Sequence, residues 1–74
     1  MFDVNVVSAE HVRRYSIVLA GSAGWEARLE EDRSLCWRET CADWHRIERT
    51  LARFRREVSD LVDRGWMIDV ASGL

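Results

Sequence analysis

The stretch "DWHRIERTLARFRREVSDLVDRGW", residues 43 to 66, decides the fold. Trp44, Ile47, Leu51, Phe54, Val58, Leu61 and Gly65 recur at steps of three and four, which places them on one stripe of a helix. A helix apolar along one stripe is stable when that stripe is buried, so it has to lie across another element. The spacing predicts a helix over about residues 41–64. Either Thr40, with Asp43 three residues on, or Asp43 itself can cap its start. Gly65 suits the left-handed residue that commonly ends a helix.

What the helix covers has to come from the residues before it. "AGSAGW", residues 20 to 25, is a Gly/Ser/Ala turn between two alternating runs. Before it, "RRYSIVLA" puts Tyr15, Ile17 and Leu19 on one face; after it, "WEARLEE" sets Trp25, Ala27 and Leu29 against Glu26, Arg28 and Glu30. "EDRS", residues 31 to 34, reads as a second turn, and "LCWRE" then alternates Leu35 and Trp37 against Cys36 and Arg38. The strands fall at about 13–20, 25–31 and 34–39. "FDVNVV" alternates with Phe2, Val4 and Val6 in phase, as a further strand or a packed arm, and "SAEHVRR" is a helical turn or a lead into the next strand. After the helix, "WMIDV" sets Trp66, Ile68 and Val70 against Met67 and Asp69, an extended tail at 66–70 that adds a strand or folds back. The expected architecture is α+β: an antiparallel β-meander of about three strands, with a fourth available from a terminus, packed against one long C-terminal α-helix.

Seventy-four residues make a single domain, 1–74, near the lower size at which one core supports a fold. Hydrophobic residues make up 47% of the chain, which supplies that core and sets the chain apart from disordered sequences. The net charge of −2 argues against indiscriminate binding to nucleic acid or anionic membrane. All eleven basic residues are Arg, a usage that GC-rich coding produces and that also favours bidentate recognition of carboxylate or phosphate. No apolar run is long enough for a membrane span, and "MFDVNVVSAEHVRR" lacks the pattern of a secretory signal. These features point to a cytoplasmic protein whose two cysteines are reduced thiols.

"SLCWRETCADWHRIER", residues 34 to 49, concentrates Cys36, Cys41 and His45, with His11 as a distant fourth ligand type. Structural zinc sites bring two short-spaced ligand pairs, whereas this chain has one cysteine pair straddling a strand-to-helix change. Cys41 with His45 as base is the one arrangement resembling a thiol nucleophile, but 74 residues leave little room for a cleft and an oxyanion hole. The expectation is therefore no catalytic residues, no metal and no cofactor.

Three features suit recognition instead. "HRIERTLARFRR", residues 45 to 56, holds five Arg and one Glu, with Arg46, Arg49, Arg53 and Arg56 on one helical stripe nearly opposite the apolar one. That stripe is either a solvated face with pairs such as Arg53–Glu57 and Arg56–Asp60, or a contact for an acidic protein surface or for phosphates. Glu26, Glu30, Glu31 and Asp32 form an acidic counterpart, either a solvated edge or an epitope for a basic surface such as a nucleic-acid channel. Among the four tryptophans, Trp66 lies beyond the helix stop, either capping the helix end or anchoring a partner.

The resulting reading is a non-enzymatic protein-interaction module, an inhibitor or accessory protein that docks on and blocks a larger protein or complex, with nucleic-acid-handling complexes among the targets. In size and composition the chain is similar to small inhibitors carried by phages and mobile elements of bacteria, anti-CRISPR proteins among them; the similarity is one of type and includes no motif. The alternatives are a nucleic-acid-associated accessory protein working through the arginine stripe, and a homodimer whose helix stripes or strand edges meet.

Overall fold

The computed structural model describes residues 2–69; Val70, and with it the end of the expected tail, lies outside the described residues. The elements are β1 (Phe2–Ser8), β2 (His11–Leu19), a short 3-10 turn (Gly21–Ala23), β3 (Trp25–Glu31), β4 (Ser34–Cys41), α1 (Trp44–Asp63) and β5 (Met67–Asp69). The five strands form one antiparallel sheet in the order β4-β3-β2-β1-β5. The α+β meander under one helix is the expected architecture, and both ends of the chain add to it. β1 pairs with β2 from Phe2↔Ile17 to Ser8↔His11, so "SAEHVRR" contains a two-residue turn, with Ala9 at φ +48°, and no helix. β5 returns beside β1 through Asn5↔Asp69, Val6↔Ile68 and Val7↔Met67.

The helix begins at Trp44, later than residue 41, because Cys41 is still paired with Trp25 in the sheet. Of the two candidate caps, Asp43 acts: its carboxylate accepts the His45 N–H at 2.9 Å. At the other end Gly65 takes φ +104° and donates to the Val62 carbonyl, while Trp66 donates to Leu61, both at 3.0 Å. This pair of bonds satisfies carbonyls that the last helical turn leaves open.

The core lies between α1 and one face of the sheet. Ile47, Thr50, Phe54, Val58 and Leu61 are buried from the helix, against Val6, Tyr15, Ile17, Ala27 and Cys41 from the strands. Phe54 is its centre, with ring centroids 5.1 Å from Tyr15, 5.9 Å from Trp37 and 6.3 Å from Phe2. Two positions of the expected stripe are displaced. Leu51 is half-buried at the side while Thr50 takes the inner position, its hydroxyl 3.4 Å from Glu39 Oε1. Trp44 is 43% exposed, because it stands on the first turn beyond the end of β4 and packs against Trp25 at 4.7 Å.

The β3–β4 register slips between Leu29 and Glu30: Leu29 pairs with Trp37, but Glu30 pairs with Leu35. Cys36 is thereby the extra residue of a bulge, and Leu35 joins the face of Arg28 and Glu30, 52% exposed, instead of sharing the face of Trp37. The sheet face away from the helix is held by ion pairs. Arg14 donates Nε and Nη2 to the two Asp3 oxygens at 3.0 and 2.8 Å, and Arg28 Nε donates to Glu26 at 3.0 Å. Between Asp3 and Arg28 across the strands, Ser16 is buried on this otherwise open face.

Candidate interaction surface

β4 is the long edge of the sheet, and Trp37, on its helix-facing side, organises the neighbouring helix flank. The Arg53 guanidinium lies 4.5 Å from the centre of the Trp37 ring while its Nε faces Glu57 at 3.6 Å. About two turns earlier, Arg46 reaches Glu39 of β4 at 3.4 Å. The stripe Arg46, Arg49, Arg53, Arg56 is therefore not a single surface opposite the core. Arg46 and Arg53 lean onto β4, whereas Arg49 and Arg56 stay exposed and make no ion pair among the described residues. The expected Arg53–Glu57 pair forms; an Arg56–Asp60 pair is not among the ion pairs of the described residues. On the other face of β4, Arg38 is exposed and lies 3.7 Å from Glu26. Arginines thus border the β4 edge on both faces.

The acidic residues are dispersed by the strand alternation that made them conspicuous. Glu26 and Glu30 project from the open face, Glu31 from the opposite one, and Asp32 sits in the turn. Glu26 is held by Arg28 and Arg38, and Glu31 by Arg13 at 3.5 Å. Asp32 accepts the Val12 N–H at 3.0 Å and faces His11 Nδ1 at 3.2 Å. Those two partners, the backbone N–H first, hold its carboxyl below the usual carboxylate range. Asp32 and Arg33 take φ +51° and +71°, the sense a two-residue hairpin loop requires; Asp32 suits the first position, and Arg33 stands where such loops usually have glycine. Glu30 also lines a shallow depression of about 180 Å³ with Asn5, Val12, Arg14 and Arg33.

Trp66 lies where its expected packing at the helix end places it. It packs half-buried against the core beyond the helix stop, with the Arg13 guanidinium 5.7 Å from its ring centre. The more exposed tryptophan is Trp44, which the helical spacing alone assigns to the core.

The cysteine–histidine cluster is separated by the fold. Cys41 is buried at the end of β4, and burial, followed by the nearby Glu39, pushes its thiol up, away from the thiolate a nucleophile needs. Cys36 is exposed on the bulge with its sulfur 3.6 Å from the Ser34 carbonyl, and both cysteines are free. His45 points to solvent beside Glu48 at 3.4 Å. Among the described residues, ligand-type atoms converge instead at His11, Glu31 and Asp32, a group missed in the sequence because it depends on the β2–β3 register. There Arg13 and the Val12 N–H already serve the carboxylates.

No helix among the described residues is long and apolar enough to cross a membrane. No protein-family model matches the chain, and neither the curated proteins nor the solved structures give a match to it.

Proposed function

We propose that this chain is a non-enzymatic docking module that occupies an acidic surface of a larger protein or complex, in the manner of a small phage or mobile-element inhibitor. The observation that carries this reading is the seating of Arg46 on Glu39 and Arg53 on Trp37. Held arginines lose less side-chain freedom on binding than free ones, and Arg is a frequent anchor of protein interfaces. Arg49 and Arg56, without ion pairs among the described residues, add the positive charge that steers an acidic partner.

The same two exposed arginines favour a second reading, contact with phosphates of a nucleic acid. The two differ in their response to nuclease and salt. A tagged chain is captured from a bacterial lysate with and without nuclease, washed from about 50 to 200 mM salt, and its companions are identified by mass spectrometry. Docking on a protein predicts that a defined partner survives nuclease. Recovery that collapses on nuclease treatment, with a steep salt dependence, assigns the arginines to nucleic acid and overturns the docking reading.

A further inference from the structure

We infer that β4 is a strand-accepting edge, on which an extended acidic segment of the partner adds to the sheet alongside residues 37–41. This rests on the docking reading and names the partner's chemistry. Among the described residues β4 has a neighbour on one side only, so its outer side presents backbone N–H and C=O groups that a further strand can pair. The bulge at Cys36 interrupts the start of the strand. Residues 37–41 then pair regularly with β3, from Trp37↔Leu29 to Cys41↔Trp25. That regular length is about 16 Å, enough for a five-residue strand.

Charge selects the occupant. Arg38 borders the edge on the open face, and Arg46 and Arg53 on the helix side; each is paired with a carboxylate of the chain, Glu26, Glu39 and Glu57, and is the more exposed member of its pair. The one carboxylate on residues 37–41, Glu39, is engaged by Arg46 and by the Thr50 hydroxyl. Antiparallel pairing of β4 with β4 of a second copy would bring two such arginine margins together, and like charges across strands destabilise the pair. Edge charges usually discourage any added strand; here the arginines are the more exposed charges, which discourages this chain's own copies and leaves an acidic strand favoured. In strand addition the main chain supplies affinity and the alternating side chains supply specificity. Glutamates or aspartates at alternate positions then reach either Arg38 or Arg46 and Arg53.

The test uses the full chain, isotope-labelled, with an acetylated and amidated ten-residue peptide alternating glutamate and valine. A second peptide of the same sequence is N-methylated at every residue, which keeps its charge and removes the backbone donors of both its edges. The expected result is slowing of amide exchange at residues 37–41 and binding by the unmodified peptide about tenfold or more tighter than by the methylated one. Equal binding of the two peptides, shifts confined to Arg49 and Arg56, or no binding at all overturns strand addition. A partner retained after nuclease, together with a failed peptide titration, leaves docking in place and removes the strand-addition model alone.

Discussion

β4 brings eight residues to one edge of the sheet, and β5 brings three to the other. The short edge exposes Met67 and Ile68, 69% and 47% accessible, but offers few backbone groups in register. The long edge has the groups, a bulge at Cys36 and arginines on both faces. Brevity protects an edge against every strand, whereas a margin whose more exposed charges are arginines protects it selectively. The two ends of this sheet therefore differ in what they exclude.

The glycines that lead into these edges give the sharpest contrast. Gly24 precedes β3 opposite the end of β4, at φ +96°, and a methyl group there would meet the Cys41 carbonyl oxygen at 2.5 Å and Ala42 Cα at 2.7 Å. Gly24→Ala is expected to cost about 3 kcal/mol or more, since backbone strain adds to a backbone clash. Trp37→Ala, which removes the half-buried ring between Phe54 and Arg53, is expected to cost about 2–3 kcal/mol. Gly65, before β5, has φ +104° but open space around its missing side chain, so Gly65→Ala is expected to cost only about 1–2 kcal/mol. Denaturant midpoints measure all three, and equal losses at Gly24 and Gly65 would contradict the close packing assigned to the β4 end.

The smallest effect is expected at the turn joining β3 to β4. Asp32 has its folded pKa lowered by the Val12 N–H and His11, so the stability it contributes is present above the ordinary carboxylate pKa of about 3.9 and is lost as pH falls through the folded value. The advantage of the native chain over Asp32→Asn should therefore shrink as a pH series of melting curves descends below about pH 4. A constant difference across that series would show that the hydrogen bond, and not the charge, holds the turn.

The helix was legible because its three-and-four spacing runs for six intervals, too long for another period to imitate. β2, β3 and the turns were legible from alternation and the Gly/Ser/Ala punctuation. β1 and β5 were legible in part: both alternate, but β1 read equally as a strand or an arm and β5 as a strand or a tail folded back until their registers were known. The bulge escaped notice because "LCWRE" alternates whether or not a residue is skipped, which sent Leu35 to the wrong face. For the candidate surface, helical geometry placed Arg46, Arg49, Arg53 and Arg56 on one stripe. It could not divide them, because the division depends on Glu39 and Trp37 lying beside the helix on an edge strand. Trp44 departs from its expected burial for a related reason: the sheet ends below it.

The most direct test of the docking account is capture from nuclease-treated lysate by the native chain, by the double variant Arg49→Glu with Arg56→Glu, and by Arg55→Glu on the opposite helix flank. All three positions are exposed, and an unchanged denaturant midpoint verifies each fold. The account predicts that the partner is retained by the native chain and by Arg55→Glu, and lost by the double variant. Retention of the same partner by the double variant, or its equal loss with Arg55→Glu, would contradict docking through the exposed arginines of this helix flank.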